Sequence, residues 1–316
     1  MRTLLTTDPA KAAEFIKHGG IVAFPTETVY GLGANVFDEV AVAKIFEAKQ
    51  RPADNPLIAH ISDVSQIAEL ASDITPNAQK LIDAFFPGPL TVVLARTARV
   101  PQIATAGLDT IGIRMPAFSL ASQFLAACGA PVVAPSANLS GRPSPTTWQT
   151  VREDLGGRID CILQGDATEI GLESTVVDCT GDVPLLLRRG SVSLTDLQRM
   201  VPETRAADLS PSDAIRSPGL RHKHYSPQAR VKIVDPRADV SHFLYAGGQF
   251  GYIGFSEPGD MFAAIKVCSS AEDYAKSVFE FFRECDRQGI DEVFCEAVEE
   301  SGIGAALMDR LRRAAE

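Results

Sequence analysis

The chain has 316 residues, of which 45% are hydrophobic and 22% are charged, and its formal net charge is −10. This is the composition of an ordinary folded globule, and it excludes a disordered chain. The acidic balance argues against a protein that grips nucleic acid mainly through its phosphates, because such binding needs clustered Lys and Arg. A local basic pocket for a small anionic substrate is compatible with it.

Hydrophobic periodicity predicts alternating helices and strands over the first two thirds of the chain. The first helix begins at Asp8-Pro9, a cap followed by Pro, and ends at Gly19-Gly20. Further helices are predicted at residues 39–47, 76–86, 119–128, 147–155 and 194–200, and strands at 21–24, 57–61, 90–95, 110–115, 132–134, near 161, 175–179 and 185–187. Two of these strands follow each other without a long helix between them, so some pairs are expected to be antiparallel. The predicted fold class is α/β, with a mixed parallel and antiparallel sheet.

A polar, Pro-bearing run then interrupts the periodicity and is interpreted as a linker. Beyond it, strands at 231–234, 252–255, 265–268 and 292–295 alternate with a long helix at 271–288 and a final helix from Gly304. The predicted division is a large domain at 1–201, a linker at 202–229 and a small α/β domain at 230–316.

Neither a membrane span nor a metal cluster is predicted. No apolar stretch reaches the roughly 20 residues that a membrane helix needs, and no signal-peptide core follows the first residues, so we expect a cytoplasmic protein. The six cysteines are scattered, without a C-x-x-C pair or a His at a zinc-like spacing. We expect them to be small buried side chains.

Common nucleotide fingerprints are missing, which disfavours a P-loop or a dinucleotide-cofactor site. There is no G-x-x-x-x-G-K-[ST] motif, and Gly31-Leu32-Gly33 lacks the third glycine of a dinucleotide loop. Residues 25–33 follow a strand and combine hydroxyls, a carboxylate and two glycines. The segment is interpreted either as a binding loop or as a solvated glycine-rich turn.

Cations and an amide follow in the next connection. Lys49 and Arg51 come at the end of a helix, and Asn55 follows between Pro52 and Pro56. The two cations either complement the helix dipole or, in a loop stiffened by proline, meet phosphate oxygens.

Two strands carry polar side chains where a sheet would bury them. His60 lies in an apolar strand, where a structural histidine is the default, and Arg114 ends the strand at 110–115. A buried Arg needs an anion, which is either a structural carboxylate or the carboxylate of a substrate.

Later loops add neutral donors and further cations. Ser136, Asn138 and Ser140 leave a strand, but Ser136 lacks the G-x-S-x-G elbow of a hydrolase nucleophile. Ser174 and the Arg188-Arg189 pair add hydroxyl and guanidinium groups at sheet ends, where α/β proteins bind ligands.

Taken in order, these segments resemble the YrdC family over residues 3–200. A polar motif at 217–227, with a small domain after it, looks like the long, two-domain form of threonylcarbamoyl-AMP synthase. The motifs are T-E-T-V-Y-G-L-G (26–33), K-Q-R-P-x-x-N-P-L (49–57), F-P-G-P-L-T (86–91), I-G-I-R-M-P (111–116), A-P-S-A-N-x-S-G (134–141) and R-R-G (188–190).

The resemblance implies a twisted mixed sheet with a concave, positively lined face. It implies conversion of L-threonine, bicarbonate and ATP to L-threonylcarbamoyl-AMP, pyrophosphate and water, for threonylcarbamoyladenosine in tRNA. Mg²⁺ is expected with ATP, without protein ligands, and no tightly bound organic cofactor is expected. The product is expected to pass to the tRNA threonylcarbamoyl-transferase complex, with no membrane partner and with weak or absent direct tRNA binding.

The resemblance also implies roles for individual residues. Those expected around L-threonine are Thr28, His60, Arg114, the backbone at Ala134, and Ser174. Those expected around ATP are Arg51, Asn55, Thr110, Ser136, Asn138, Ser144, Arg188 and Ser226, with Lys49 and Arg51 as the catalytic pair. A further hypothesis makes the linker a lid over the nucleotide, through Arg221, Lys223, His224 and Tyr225.

Two alternatives stay open. One is an RNA-binding module without adenylate-forming activity, although the acidic charge and the lack of a basic tract argue against it. The other is a YrdC-like domain for a different carbamoyl transfer, as in hydrogenase maturation. The regions resembling acylphosphatase and zinc fingers that accompany such a domain are missing from this sequence.

Overall fold

The structure, a computed structural model, describes residues 2–207, 225–237, 245 and 247–316. Eleven of the described strands form one large sheet, in the order β1-β8-β2-β3-β7-β4-β6-β5-β9-β10-β11. Their bounds are β1 Leu4–Thr6, β2 Val22–Phe24, β3 Gly31–Asn35, β4 Ile58–His60, β5 Leu90–Ala95, β6 Thr110–Arg114, β7 Val132–Ala134, β8 Cys161–Leu163, β9 Thr175–Asp178, β10 Leu185–Arg188 and β11 Arg205–Ala206. Strand β6 pairs parallel with β4 and antiparallel with β5, so the predicted mixed sheet is confirmed.

Helices cover the large sheet and bury their apolar faces on it. The first begins as predicted, because the Asp8 side chain accepts hydrogen bonds from the N–H groups of Ala10 and Lys11 and Pro9 occupies the first turn. The helices of this part are α1 Pro9–Lys17, α2 Glu39–Lys49, α3 Ile67–Leu70, α4 Pro76–Phe85, α5 Gln102–Thr105, α6 Ser119–Cys128, α7 Trp148–Leu155 and α8 Leu194–Met200.

A second, parallel sheet forms the C-terminal part of the chain. Its order is β12-β15-β13-β14, and all of its neighbouring strands are parallel. Its elements are β12 Arg230–Val234, β13 Phe250–Gly254, β14 Ala264–Val267, α9 Ala271–Gln288, β15 Glu292–Glu296 and α10 Ile303–Ala315. Buried side chains of α9 and α10 pack together with Leu172, which belongs to the large-sheet part of the chain, in one cluster. The large-sheet part and the C-terminal part of the chain therefore pack against each other.

The structure contains several elements that the sequence analysis does not predict, among them β1, α3 and α5. Two further differences concern the large sheet. Gly31–Asn35, whose first residues are predicted as part of a loop, is strand β3 and pairs antiparallel with β2. A Cβ on Gly33 would lie 2.6 Å from a methyl carbon of Val132, so this glycine permits close packing and does not form a turn. In addition, β11 lies within the predicted linker and pairs parallel with β10, which extends the large sheet beyond residue 201.

Other predictions concern the linker, the membrane and the cysteines. The predicted lid residues Arg221, Lys223 and His224 lie outside the described residues. No described helix has the length and apolar character needed to cross a bilayer. All six cysteines are buried and free, as predicted, and burial raises the pKa of Cys128 to about 12.

Strand register brings the predicted polar side chains to one face of the large sheet. His60 on β4 stands opposite Arg114 on β6, and Ile58 stands opposite both Gly112 and Ala134. Residues two apart on a strand, and residues opposite each other on neighbouring strands, share a face. His60, Arg114 and Ala134 therefore point to the same side of the sheet.

Candidate active site

A pocket of about 730 Å³, including its open mouth, lies on this face of the large sheet. Most of the predicted site residues line it. They are Thr28, Lys49, Arg51, His60, Arg114, Ala134, Ser136, Asn138, Ser144, Ser174 and Arg188. Asn55, Thr110 and Ser226 do not line this pocket, and their positions are given below.

Arg114 is buried and has a structural carboxylate as a partner. Its Nη2 lies 2.7 Å from Oε1 of Glu27, its Nη1 donates to Oγ1 of Thr28 at 2.7 Å, and its Nε donates to the carbonyl oxygen of Gly88 at 3.4 Å. A guanidinium has five N–H donors, so these three contacts leave two for another acceptor. Of the alternatives open at the sequence level, the structural carboxylate is therefore present, and donors for a second anion remain.

His60 sits beside Arg114 as a neutral imidazole. Burial, and then the nearby Arg114 charge, lower the pKa of His60 to about 3. Its Nδ1 lies 3.1 Å from the carbonyl oxygen of Ile58, and because a carbonyl only accepts, Nδ1 carries the proton. At neutral pH this side chain adds no charge to the pocket.

Lys49 ends helix α2 with its ammonium inside the protein. Its Nζ donates to the carbonyl oxygens of Ser136, at 2.5 Å, and Asn138, at 2.6 Å, and lies 3.4 Å from Oδ1 of Asn138. Burial, reinforced by the charge of Arg51, holds the pKa of Lys49 well below its usual value. The hydrogen bonds of Lys49 to the two carbonyl oxygens fix the turn after β7, and the same side chain lines the pocket.

Arg51 and Asn55 occupy the connection between α2 and β4. The Nη2 atom of Arg51 lies 3.4 Å from the carbonyl oxygens of Asn55 and Pro56, at the outer limit of a hydrogen bond. Burial lowers the pKa of Arg51 to about 10, so it stays protonated at neutral pH. The Asn55 side chain is 1% exposed, and among the described residues neither of its amide atoms has a hydrogen-bond partner.

Ser174 and Arg188 form the far wall of the pocket. Arg188 donates through Nε to the carbonyl oxygen of Ser174 at 3.0 Å and through Nη2 to its hydroxyl at 3.1 Å. The Ser174 hydroxyl also lies 2.8 Å from Oγ1 of Thr91. Arg188 is buried, whereas its neighbour Arg189 is exposed, so only one member of the predicted Arg pair faces the pocket.

Glu173 is the acidic member of the pocket lining. Its Oε1 accepts a hydrogen bond of 2.5 Å from the Ser144 hydroxyl, and its Oε2 accepts one of 2.9 Å from Nε of Arg310. Despite burial, the charges of Arg310 and Arg188 lower the pKa of Glu173, so the carboxylate is ionised.

The end of the linker closes one side of the pocket. Tyr225 lines it, and its ring stacks on Phe279 of α9 with centroids 5.3 Å apart. Ser226 donates its backbone N–H to the carbonyl oxygen of Gly141 at 3.1 Å. The residues just after the undescribed part of the linker are thus bound to the 134–144 loop.

Thr110 lines a second, smaller cavity of about 260 Å³. This cavity shares Pro56 and Ile58 with the main pocket. Thr110 and Gly112 lie two apart on β6, as do Gly112 and Arg114, so both cavities open on the same face of the sheet.

The lining of the main pocket carries an excess of positive charge, whereas the whole chain is negatively charged. The lining includes five basic side chains and one carboxylate, although the chain carries a net charge of −10. The basic side chains are Lys49, Arg51, Arg114, Arg142 and Arg188. Such a local excess of positive charge in a partly desolvated cleft suits an anionic ligand.

Sequence reasoning missed several residues of this site. Glu27 lies within the 26–33 motif and Glu173 directly precedes Ser174, but neither was assigned as a partner of Arg114 or Arg310. Arg142 lines the pocket and contacts Asp154 at 2.8 Å. Arg310 was the one detectable from the sequence. It occupies the apolar face of the last helix beside Leu311, and a buried Arg there needs an anionic partner.

No group of three or more His, Cys, Asp or Glu suited to holding a metal ion occurs among the described residues. The pocket offers hydroxyls, amides and cations, and its carboxylate is already bonded to Ser144 and Arg310. These side chains do not form the oxygen-rich cage of a dedicated divalent-metal site.

Comparisons with known proteins agree with this arrangement. The sequence profile of the Sua5, YciO and YrdC family, described as telomere recombination, matches residues 14–190. The profile of the threonylcarbamoyl-AMP synthase C-terminal domain matches residues 192–316. Together the two profiles account for nearly the whole chain.

Individual relatives match over the same extent. The chain is 44% identical to the threonylcarbamoyl-AMP synthase of Pyrococcus abyssi, over 96% of this chain and 92% of that protein. It is 39% identical to the Bacillus subtilis threonylcarbamoyl-AMP synthase, over 99% and 94%. The crystal structure of P. abyssi Sua5 complexed with L-threonine superposes with a TM-score of 0.91 at 41% identity, covering 99% of this chain and 97% of that one. The chain therefore belongs to the Sua5/YciO/YrdC family and, within it, to the two-domain threonylcarbamoyl-AMP synthases.

Proposed function

We propose that this chain makes L-threonylcarbamoyl-AMP from L-threonine, bicarbonate and ATP in the pocket on the large sheet, as the first step of threonylcarbamoyladenosine formation in tRNA. The observation that carries the proposal is the basic pocket of an acidic chain, whose lining combines the buried Arg114 with Arg51, Lys49 and Arg188. Family membership supports the same activity, since the relatives with full-length matches are threonylcarbamoyl-AMP synthases.

L-threonine binds at the Arg114 end in this proposal. The two N–H groups of Arg114 that Glu27, Thr28 and Gly88 leave unused donate hydrogen bonds to the substrate carboxylate. Thr28, Ser174 and the backbone at Ala134 supply hydrogen-bonding groups, and neutral His60 does so without adding charge. Because His60 is neutral, it does not stabilise a charged ammonium on threonine. The uncharged threonine amine is the form that attacks bicarbonate or carbon dioxide.

ATP binds along the remaining lining in this proposal. Arg51 and Arg188 face the phosphates, and the hydroxyl and amide groups of Ser136, Asn138 and Ser144 complete the contacts. Asn55, whose buried amide has no hydrogen-bond partner within the described part of the chain, and Ser226, on the adjoining linker, add further contacts. The second cavity, with Thr110, gives the nucleoside a place on the same sheet face.

Catalysis then needs positioning and charge neutralisation. The threonine amine attacks bicarbonate to give a carbamate and water, and a carbamate oxygen attacks the α-phosphorus of ATP while pyrophosphate leaves. Both reactants are anions, so Arg51, Arg188 and Lys49 offset the charge that gathers as they meet. The carbamate is itself the nucleophile, and no covalent enzyme intermediate is required.

In this proposal Mg²⁺ would accompany ATP and would not be a resident metal, because the pocket side chains do not form a dedicated metal site. When bound there, it supplies further neutralisation of phosphate charge. No tightly bound organic cofactor is needed for this reaction.

The wider setting is proposed on the same basis. The reaction takes place in the cytoplasm, and the product passes to the tRNA threonylcarbamoyl-transferase complex. The acidic net charge makes a strong direct tRNA contact unfavourable. We propose that the large domain, at 1–201, carries the chemistry, that the linker at 202–229 adjoins the pocket through Tyr225, and that the small domain, at 230–316, packs beside it.

The test is pyrophosphate release from ATP, with and without L-threonine and bicarbonate, with L-serine as the competing amino acid. Release that requires both co-substrates, prefers threonine and disappears in Arg114→Ala is expected. Release indifferent to threonine, or none from a folded chain, would instead favour the RNA-binding alternative.

A further inference from the structure

One buried carboxylate of the pocket is neutralised from the other domain. Glu173 lies in the large-sheet part of the chain, and its partner Arg310 lies on α10, the last helix. Arg310 is 1% exposed, and it also donates through Nη2 to the carbonyl oxygen of Arg189 at 3.0 Å and contacts Asp309 at 2.6 Å. The opposite oxygen of Glu173 accepts from the Ser144 hydroxyl, which lines the pocket.

We propose that Arg310 is a positioning residue for ATP: it fixes and neutralises Glu173, so that the small domain is an integral part of the nucleotide site. This inference rests on the proposed function, because it assumes that the pocket receives a triphosphate. Arg310 itself acts through Glu173 and Ser144, without touching the nucleotide.

Glu173 needs a neutralising partner because it lies in the same pocket lining as the basic side chains proposed to bind the phosphates. An uncompensated carboxylate beside a triphosphate repels it, and inside a partly buried pocket this repulsion is stronger than in bulk water. Without Arg310, Glu173 would also turn toward Arg188, the other cation whose charge lowers the pKa of Glu173, and compete with phosphate for the donors of Arg188. Arg310 prevents both effects by holding the carboxylate from the side away from the pocket.

A second link from the small domain reaches the same loop independently. Arg283 on α9 binds both carboxylate oxygens of Asp154, at 2.9 and 2.8 Å, and donates to the carbonyl oxygen of Pro143. Asp154 in turn accepts the backbone N–H of Leu139 at 3.1 Å. The loop that carries Asn138 and Ser144 is therefore held from α9 as well as from α10.

The same interface provides a matched control. Arg287 of α9 pairs with Glu153 of α7 at 3.3 Å, and both side chains are substantially exposed. This ion pair also crosses between the domains but does not reach the pocket. Glu153→Gln removes an interdomain contact without changing the charge next to the nucleotide.

The test is calorimetric titration of the full chain with ATP, in the absence of threonine and bicarbonate, and separately with threonine. The proteins compared are the wild type, Arg310→Gln, Glu173→Gln, the double variant of these two, and Glu153→Gln. Arg310→Gln is expected to weaken ATP binding about tenfold and threonine binding less than about twofold. The double variant is expected to return to within about threefold of wild type, because both charges are gone. Glu173→Gln is expected to bind ATP at least as tightly as wild type, and Glu153→Gln to match it.

The double variant separates charge from packing. Arg310 also lies 5.3 Å over the ring of Tyr225, and Glu173→Gln restores no contact with that ring. A double variant as weak as Arg310→Gln would overturn the inference, as would unchanged binding in Arg310→Gln. If Arg310→Gln does not fold, a tenfold loss in Glu173→Gln alone would overturn it. A wild-type chain that binds no ATP would contradict the proposed function itself.

Discussion

Lys49 and Asn138 lie 89 positions apart in the sequence and are joined by a hydrogen bond of 2.6 Å from the Lys49 ammonium to the Asn138 carbonyl oxygen. The same ammonium binds the carbonyl oxygen of Ser136, so one side chain ties the end of α2 to the turn after β7. The two motifs that carry these residues are thereby a single structural unit.

Replacing Lys49 with Met should therefore damage catalysis more than folding. The variant removes the donors that fix the Ser136–Asn138 turn, and a displacement of about 1 Å in such a turn costs about 100-fold in rate. We expect pyrophosphate release to fall about 100-fold. Lys44→Met is the control, since Lys44 lies on the same helix but donates at the surface to the carbonyl oxygen of Gly19. Equal effects of the two substitutions would contradict the role given to Lys49.

Arg114 and Glu27 allow stability and substrate binding to be separated. Arg114→Gln leaves the Glu27 carboxylate buried without its cation, so a loss of about 3–5 kcal/mol in unfolding free energy is expected. Adding Glu27→Gln should restore most of that stability, but not L-threonine binding, because the donors for the substrate carboxylate are still missing. Urea unfolding and calorimetric titration with threonine measure the two effects. Threonine binding that recovers with stability would place the carboxylate elsewhere.

His60 gives the chain a defined acid sensitivity. Its pKa is about 3 in the folded chain, whereas an unfolded His titrates near 6.5, so below pH 6.5 the unfolded chain binds a proton that the folded chain does not. The linkage relation makes stability fall as the pH decreases through this window, by about 2 kcal/mol between pH 6.5 and 5 from this group. His60→Gln should flatten that part of the stability curve, measured by urea unfolding at each pH. An unchanged slope would mean that His60 is not buried as a neutral ring.

Thr110 tests whether the second cavity receives part of the nucleotide. Thr110→Val keeps the shape of the side chain and removes its hydroxyl. The loss of one hydrogen bond should weaken ATP binding about three- to tenfold, while threonine binding stays unchanged. Calorimetric titration with each ligand measures both values. If threonine binding weakens and ATP binding does not, the assignment of the two ends of the site is reversed.

The alternation of apolar segments was enough to predict the mixed sheet and most of its elements. It also placed His60 and Arg114 on strands, because each interrupts an apolar run at a position where a sheet buries its side chains. Strand β3 was not predicted, because its glycines are typical of a turn. In the structure these glycines let β3 pack closely against Phe24 and Val132. Local patterns do not show what stands opposite a glycine.

The ion pairs within the site could not be predicted from the spacing of residues in the sequence. Glu27 contacts Arg114, 87 positions away in the sequence, because of the register of the large sheet. Glu173 contacts Arg310, 137 positions away, because α10 packs against the large-sheet part of the chain. The resemblance to the YrdC family supplied the expected ligand roles, but it did not supply the contribution of the small domain. That contribution depends on tertiary packing.

The central claim is tested most directly by following the product. The chain is incubated with ATP, Mg²⁺, L-threonine and ¹³C-bicarbonate, and the nucleotides are separated and analysed by mass spectrometry. The account predicts threonylcarbamoyl-AMP that carries one ¹³C atom, formed together with pyrophosphate and absent when threonine or bicarbonate is omitted. AMP or ADP formed without the labelled adduct, from a chain that binds both ATP and threonine, would contradict it.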